Sequence, residues 1–228
     1  MSKIQVFSDF DGTITKVDTL NKFLETYADK KWLEIEKRWV DGEIGSSECI
    51  EEQMKLFPEM TIEEIEKFID SVEIDDSFCD FYNFLKQNDI EFFVVSDGFD
   101  FFIKRILEKN GVDLKGIKIF SNKLTFEKGK FKTEFPFSND ECRRQSGVCK
   151  CKVVKENRIV TNRVLYAGDG LSDFCVSDKV DLLFAKGSLL EYCKDTKNNN
   201  LIGFESFAEI KDYIKNILNY KGEGNARY

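Results

Sequence analysis

The sequence contains no histidine, which removes several common kinds of catalytic and metal-binding site. Ser-His-Asp triads, Cys-His pairs and histidine-ligated metals all need an imidazole. Any hydrolytic chemistry must therefore use carboxylates, lysines, hydroxyls or thiols. Proline is also scarce, with 2 residues in 228, while 42% of the residues are hydrophobic and 33% are charged. This composition is typical of a globular chain with a sizeable core, and it argues against disorder.

Three further absences limit the partners and the location of the protein. No apolar run reaches the length of about 18 residues that a membrane span needs, so we expect no membrane partner. The net charge of −8 argues against a nucleic-acid partner, because phosphate backbones require a basic face. Met1-Ser2-Lys3 leads directly into an apolar strand without a visible signal peptide, and the seven cysteines are an odd number. We therefore expect a cytoplasmic protein with reduced thiols.

The strongest chemical signal is the run Asp9-Phe10-Asp11-Gly12-Thr13, directly after the short apolar stretch Ile4–Ser8. The stretch has the length of a buried strand, and the glycine marks a turn. Ligands of open α/β sheets bind at the carboxyl ends of the strands, where this turn would lie. Two carboxylates there can serve as a nucleophile and an acid/base, or as part of a cation site.

Two later turns repeat this arrangement. Ser96-Asp97-Gly98 follows the apolar run Phe92–Val95, and its hydroxyl and backbone N–H groups would suit a phosphate, although the same residues also suit a helix cap. The run 168–173, Gly-Asp-Gly-Leu-Ser-Asp, follows the strand-like Val164–Ala167 and supplies Asp169 and Asp173. Carboxylate oxygens with waters and a phosphate are ligands that suit Mg²⁺.

The three turns, taken in order, resemble the motifs of the haloacid-dehalogenase-like phosphatases, whose first motif is Asp-x-Asp-Gly-Thr. The resemblance spans the whole chain. It implies that Asp9 and Asp11 are catalytic and that Asp9, Asp11, Asp169 and Asp173 hold Mg²⁺ as the cofactor. It also implies that phosphate is bound by four residues, namely Ser96, Asp97, Gly98 and Lys152. Asp97 departs from the family pattern, because it stands where the second motif often has its first glycine.

The family also has an active-site lysine with little sequence around it. Lys150 and Lys152 both lie in the run Cys149-Lys150-Cys151-Lys152, ahead of a helix predicted for residues 152–157. Members with a helical cap and a Cys-x-Lys run place their lysine where Lys152 stands, so Lys152 is preferred here and Lys150 is the alternative. Cys142, Cys149 and Cys151 lie close in sequence and could bind a soft metal, but reduced loop cysteines are the preferred interpretation.

The hydrophobic pattern predicts an α/β fold. Residues 16–77 show helical periodicity without a convincing strand, and the alternation of strands and helices resumes at Asp80. Strands are predicted at 115–120, 122–126 and 130–135, the last two as a hairpin. With the resemblance, this implies a three-layer α/β/α Rossmann-like core with a parallel sheet, made of residues 1–15 and 78–228. Residues 16–77 would form an inserted helical cap, and residues 121–151 a hairpin and cysteine-rich loop within the core.

The function implied by the resemblance is Mg²⁺-dependent hydrolysis of a small phosphorylated metabolite through an aspartyl-phosphate. Among helical-cap members, the cap position and cysteine-rich segment are most similar to the methionine-salvage, phosphoserine and phosphocholine or phosphoethanolamine phosphatases. A phosphotransferase, such as a phosphomutase, and a phosphate-sensing module are less favoured alternatives. Asp18 could face the substrate from the hinge, but it suits the N-cap of the first cap helix equally well.

Overall fold

The protein is built around one seven-stranded sheet. The computed structural model describes residues 3–142 and 145–223. Within them the strand order is β4-β3-β2-β1-β5-β6-β7, and every neighbouring pair is parallel except β3 and β4. The strands are β1 Ile4–Ser8, β2 Glu91–Phe99, β3 Ile117–Glu127, β4 Lys130–Glu134, β5 Arg163–Gly168, β6 Leu182–Ala185 and β7 Leu201–Gly203.

Both faces of the sheet are covered by apolar side chains. Val6 and Phe7 are neighbours in β1 and therefore point to opposite faces, yet their exposed fractions are 1% and 0%. They belong to two separate clusters of core residues, one on each side of the sheet. A parallel sheet with two buried faces explains why its strands read as continuous apolar runs rather than as alternating ones.

Helices cover the sheet and fill the segment between β1 and β2. Their bounds are α1 Thr19–Tyr27, α2 Trp32–Val40, α3 Ser46–Met54, α4 Ile62–Ser71, α5 Phe78–Gln87, α6 Asp100–Lys109, α7 Lys150–Asn157, α8 Gly187–Asp195 and α9 Phe207–Glu223. A short 3₁₀ turn covers Leu171–Asp173. The first four helices occupy the predicted cap. Thr61 and Glu64 form a capping box at the start of α4, with hydrogen bonds in both directions.

The helical insertion shares its hydrophobic core with the rest of the protein. The Phe23 side chain of α1 is fully buried, and its ring lies 5.1 Å from Phe102 of α6 and 5.8 Å from Phe131 of β4. At the neck of the insertion, Thr15 forms a bridge with Ile74. Helix α3 also contributes buried side chains to the core cluster that contains Phe23, so the insertion packs on the core through α1, α3 and the neck.

Two elements differ from the sequence-based expectation. The predicted strand at 115–120 and the first hairpin strand form one continuous strand, β3, because its first half pairs with β2 and its second half with β4. Helix α7 begins at Lys150, two residues before its predicted start.

Three parts of the predicted domains lie outside the described residues, namely positions 1–2, 143–144 and 224–228. Within the described residues, no helix has the length and apolar character that a bilayer crossing requires.

Candidate active site

The sheet topology brings the three predicted turns to one place. Strands β2 and β5 flank β1 on either side, and Ser8 at the end of β1 is in register with Val94 and Ala167. Asp9 and Asp169 therefore directly follow β1 and β5, and Ser96 lies within β2 close to its carboxyl end. All three residues line one pocket at this edge, as the strand-end rule for open α/β sheets predicts.

Asp9 lies at the bottom of this pocket. One of its carboxylate oxygens accepts a hydrogen bond of 2.7 Å from the Phe10 N–H, and the other lies 2.6 Å from the Lys150 ammonium. Burial raises the pKa of Asp9 well above its ordinary value, and the charge of Lys150 acts in the opposite direction. The charges of Asp173 and Asp169 also raise this pKa. A buried carboxylate with one cationic partner is suited to act as a nucleophile toward an electrophilic centre.

Of the two candidate lysines, the structure brings Lys150 into contact with Asp9, whereas the sequence-based preference is Lys152. Lys150 is 1% exposed, and its ammonium lies between Asp9 and Asp173, 2.7 Å from the latter. Lys152 is half-buried and forms no ion pair within the described residues. Residues two positions apart in a helix lie about 200° apart around its axis, so only one of the two can face Asp9. Because α7 starts at Lys150, that residue is the one directed into the site.

Asp173 orients its neighbours rather than facing the pocket freely. One of its oxygens accepts hydrogen bonds from Lys150 and from the Tyr166 hydroxyl, at 2.7 and 2.6 Å. The other accepts from the N–H groups of Asp169 and Gly170, both at 3.1 Å. The side chain is completely buried. It therefore fixes both the lysine and the turn that carries Asp169.

The carboxylates of Asp9, Asp169 and Asp173 form a group suited to a cation. Each offers an oxygen, and these oxygens all lie within 4.8 Å of one another. The pKa of Asp169 is raised to about 6, first by burial and then by the charge of Asp173, while a hydrogen bond from Thr13 acts in the opposite direction. Buried carboxylates that repel one another are relieved by a divalent cation, so the donor set fits the predicted Mg²⁺. The Asp11 carboxylate is not part of this group.

Asp11 has different partners and a different electrostatic environment. Its carboxylate accepts hydrogen bonds from the Thr19 N–H at 3.2 Å and from the Ser96 hydroxyl at 3.3 Å. Burial, followed by the charge of Asp18, raises the pKa of Asp11 to about 7. A carboxyl group that titrates near neutrality can both donate and accept a proton at working pH.

Ser96 and Gly98 shape the wall beside Asp11. The Gly98 N–H donates a hydrogen bond of 3.0 Å to the Ser96 hydroxyl. A Cβ at position 98 would overlap the Asp11 carboxylate, so glycine is required there by the close approach of that side chain. Asp97, between them, has its carboxylate directed to Ser46 and to the Val148 N–H, which leaves only its main chain for the predicted phosphate contact.

The insertion supplies the outer wall of the pocket. Asp18 caps α1 through a hydrogen bond of 2.8 Å from the Asn21 N–H, which confirms its structural role, and it also lines the pocket. Helix α2 contributes Glu36 and Trp39. Gln53 donates a hydrogen bond of 2.9 Å to the Glu36 carboxylate, and burial raises the pKa of Glu36. Of the described residues that line this pocket, none is a lysine or an arginine.

The cysteines do not form a soft-metal site in the described residues. Cys149 and Cys151 bring their sulfur atoms to 3.6 Å, while Cys142 contacts the Ser146 hydroxyl. Within the described residues, the cluster of three metal-ligating side chains is the one formed by the carboxylates of Asp9, Asp169 and Asp173. None of the seven cysteines forms a disulfide within the described residues.

Sequence reasoning missed Tyr166, Thr13 and Ser46 as parts of the site. Tyr166 lies in a strand that reads as core, and nothing local indicates that its hydroxyl reaches Asp173. Thr13 was visible as the last residue of the first motif, and it hydrogen-bonds Asp169. Ser46 is the first residue of α3, and nothing in the local sequence indicates that its hydroxyl hydrogen-bonds Asp97.

Comparison with known proteins identifies the family. The family model described as "Putative Phosphatase" matches residues 4–185. The chain is 30% identical over 220 residues to a 2-hydroxy-3-keto-5-methylthiopentenyl-1-phosphate phosphatase of Bacillus cereus, covering 96% of this chain and 99% of the relative. The protein of the same name from Bacillus velezensis is 31% identical over 214 residues, covering 93% of this chain and 90% of that one.

This chain belongs to the haloacid-dehalogenase-like phosphatases. The predicted family and the enzyme class, a phosphatase, are confirmed. A solved structure of a phospho-aspartyl intermediate analogue of phosphoserine phosphatase superposes with a TM-score of 0.68 at 22% identity, covering 93% of this chain and 99% of that one. A substrate-bound phosphoserine phosphatase gives the same TM-score at 21% identity and the same coverage. These likenesses confirm the predicted α/β Rossmann-like core.

Proposed function

We propose that this phosphatase hydrolyses a small organic phosphate through an aspartyl-phosphate formed on Asp9, with Mg²⁺ as its cofactor. The observation that carries the proposal is the contrast between two carboxylates two residues apart. Asp9 is ion-paired with the buried Lys150 ammonium, whereas Asp11 has no cationic partner among the described residues and a pKa of about 7. Environments that differ in this way suit a nucleophile and an acid/base respectively.

The proposed chemistry has two steps, formation of an aspartyl-phosphate and its hydrolysis, and Asp11 transfers a proton in each. The Asp9 carboxylate attacks phosphorus, and the bond from phosphorus to the leaving alkoxide breaks while Asp11 gives that oxygen its proton. Asp11 then takes a proton from a water molecule that attacks the aspartyl-phosphate, which releases phosphate and regenerates Asp9. The Ser96 hydroxyl and the Lys150 ammonium bind phosphoryl oxygens, and Lys150 favours the ionised form of Asp9.

The metal would be held by Asp9 and Asp169 together with the main-chain carbonyl of Asp11, with Asp173 fixing the Asp169 turn. When bound, Mg²⁺ would neutralise charge on the transferring phosphoryl oxygens. The pKa values of Asp9 and Asp169 support this assignment, because both are raised by burial and by neighbouring carboxylates.

The pocket wall supports a substrate whose leaving group carries no negative charge. Asp18 and Glu36 face this space with Leu20, Trp39 and Ile50, and no cationic side chain lines it within the described residues. The compound in the relatives' name, 2-hydroxy-3-keto-5-methylthiopentenyl-1-phosphate, has an uncharged leaving group with a hydroxyl, a keto group and an apolar thioether end. It is therefore our preferred substrate class.

A phosphorylated amino alcohol, such as phosphocholine or phosphoethanolamine, is the second candidate. The presence of both Glu36 and Trp39 in the pocket wall is the observation that favours it, because carboxylates and aromatic faces both attract ammonium groups. Phosphoserine fits less well, since its own carboxylate would meet Asp18 and Glu36 without a cationic side chain to pair with.

Release of inorganic phosphate tests the proposal. Wild-type protein and Asp9→Asn are incubated with a panel of small phosphomonoesters, with and without Mg²⁺, and with and without an acceptor alcohol. We expect release by wild-type protein only with the metal, independent of the acceptor, and none by Asp9→Asn. Release that needs the acceptor would indicate a phosphotransferase. No release from any ester, or equal release by Asp9→Asn, would refute the proposal.

A further inference from the structure

Asp97 joins three segments of the chain that are far apart in sequence. One of its carboxylate oxygens accepts a hydrogen bond of 2.8 Å from the Ser46 hydroxyl, and the other accepts one of 2.6 Å from the Val148 N–H. The Ser46 hydroxyl in turn accepts a hydrogen bond of 3.1 Å from the Gly147 N–H. We call these three hydrogen bonds, among Ser46, Asp97, Gly147 and Val148, the Asp97 clasp.

Each segment of the Asp97 clasp has a distinct position relative to the site. Ser46 begins α3 of the insertion, and the pocket lies between this helix and the core. Asp97 directly follows Ser96 close to the carboxyl end of β2, the strand beside the central β1. Gly147 and Val148 directly precede Cys149, which is the N-cap of α7. The first residue of that helix is Lys150. The clasp therefore connects the cover of the pocket, the phosphate-binding turn and the segment that positions the lysine.

The partners of Asp97 separate this role from direct substrate binding. Both carboxylate oxygens already accept hydrogen bonds from protein groups, and a carboxylate offers no proton to a phosphate. Burial raises the pKa of Asp97, while the Lys150 charge and the hydrogen bonds from Val148 and Ser46 lower it. The geometry of these contacts, from Ser46 to one carboxylate oxygen and from Val148 to the other, suits a side chain that holds two segments together.

We propose that Asp97 is a positioning residue that couples closure of α3 over the pocket to the placement of Lys150 against Asp9. This inference rests on the proposed function, because the placement of Lys150 matters only if Asp9 is phosphorylated. When the start of α3 moves away from Asp97, Ser46 leaves Asp97 and Gly147, and the segment that leads into α7 loses two of its anchors. The site is then complete only in the closed arrangement, and this arrangement also excludes water from the pocket.

Four variants test the Asp97 clasp. Asp97→Ala removes both acceptors, and Ser46→Ala removes the hydroxyl that connects the insertion to them. Asp97→Asn is the conservative variant, since its amide can accept from Val148 and donate to Ser46. Ser71→Ala is the matched control, because the Ser71 hydroxyl lies in the same insertion and donates its hydrogen bond to the Phe68 carbonyl of its own helix.

Steady-state kinetics with the best small phosphomonoester gives the first readout. We expect Asp97→Ala to lower kcat/KM about tenfold or more, with a loss in kcat, and Asp97→Asn to lose distinctly less. Ser46→Ala should show the same kind of loss, and the double variant should be no worse than Asp97→Ala within about threefold, because the two residues act through one contact. Additive losses, or a loss in Asp97→Asn equal to that in Asp97→Ala, would overturn the coupling.

Amide hydrogen exchange gives a readout that does not depend on activity. Without substrate, Asp97→Ala should speed exchange in α3 and in residues 147–150 together, whereas Ser71→Ala should change neither. Faster exchange in only one of the two segments, or in neither, would overturn the proposal. If wild-type protein released no phosphate, the proposed function would fail while exchange still decided whether the clasp exists.

Discussion

The Lys150 ammonium lies 2.6 Å from the Asp9 carboxylate, and the exposed fractions of the two side chains are 1% and 7%. Burial lowers the pKa of Lys150, but the charges of Asp173 and Asp9 outweigh that effect and raise it above its ordinary value. The lysine is therefore a permanent cation between two buried carboxylates. Its charge acts against the burial that raises the pKa of Asp9, and it therefore favours the ionised form of the proposed nucleophile.

Replacing Lys150 with methionine should lower kcat by about a hundredfold or more, because a preorganised charge on the phosphoryl oxygens is removed. It should also lower the free energy of unfolding, since two buried carboxylates lose their cation; the loss of one partner from a buried pair costs about 3–5 kcal/mol. Phosphate release and thermal unfolding measure the two effects. Lys152→Met is the matched control, and it should leave both unchanged. Inactivation by Lys152→Met with activity in Lys150→Met would reverse the assignment.

The glycine at position 98 provides a steric test of the site. Gly98→Ala places a methyl group on the Asp11 carboxylate and should lower kcat about a hundredfold, because a small displacement of a catalytic group is costly. Gly170→Ala is the control, since a Cβ there meets nothing within 4 Å. The kinetics of both variants are compared at saturating substrate. Equal activity in the two variants would show that the position of Asp11 does not limit turnover.

The raised pKa of Asp11 predicts how stability depends on pH in metal-free protein. The folded state holds the Asp11 proton up to about pH 7, whereas the unfolded chain releases it near the ordinary value of 3.8. The stabilisation is therefore fully present below 3.8 and is lost as the pH rises through about 7. We expect the Tm of the wild type, measured in a chelator, to fall relative to that of Asp11→Asn as the pH rises from about 5 to about 8.

The size of this change is measurable by thermal unfolding, because about 1 kcal/mol shifts the Tm of a chain of this length by roughly 2–4 °C. Using the difference between wild type and Asp11→Asn removes the contribution of every other titrating group. A difference in Tm that stays constant with pH would contradict the raised pKa. Saturating Mg²⁺ should raise the wild-type Tm most at high pH, where the carboxylates are ionised.

The acidic wall of the pocket predicts a preference among leaving groups. Phosphomonoesters with an anionic leaving group should have the lowest kcat/KM of a panel that also contains neutral and cationic ones. Glu36→Gln should raise the relative kcat/KM of the anionic esters several-fold and lower that of the cationic ones, because it removes one charge while keeping a hydrogen-bonding side chain. An unchanged order of preference would show that Glu36 does not contact the leaving group.

Asp18 needs a separate pair of variants because it also caps α1. Asp18→Asn keeps a capping oxygen and removes the charge, whereas Asp18→Ala removes both and should cost about 1 kcal/mol of stability. A change in substrate preference in both variants would assign Asp18 to the pocket as well as to the cap. A lower Tm in Asp18→Ala, with no change in preference in either variant, would leave it as a cap residue alone.

The positions of Asp9, Ser96 and Asp169 could be predicted because they depend on a local rule. Each follows an apolar strand, and the carboxyl ends of parallel strands meet at one edge of a sheet. The choice between Lys150 and Lys152 could not be made in this way. It depends on the residue at which α7 begins, and a shift of two residues turns a side chain to the opposite side of the helix.

Contacts between distant segments were the other feature that the sequence did not indicate. Ser46 and Asp97 are 51 positions apart, and so are Asp97 and Val148. No periodicity or turn signal connects such residues. Asp97 was visible as a departure from the family's glycine, but its partners are determined by how the insertion and the loop before α7 pack against β2.

The most direct test of the account is to trap the phosphorylated enzyme. Wild-type protein with Mg²⁺ and its best phosphomonoester is quenched in acid within one turnover, digested and analysed by mass spectrometry. We expect one phosphoryl group on the peptide that contains Asp9, at a level that depends on the metal, and none in Asp9→Asn. A phosphoryl group on another residue, or rapid turnover with no phosphorylated peptide at any quench time, would contradict the assignment of Asp9 as the nucleophile.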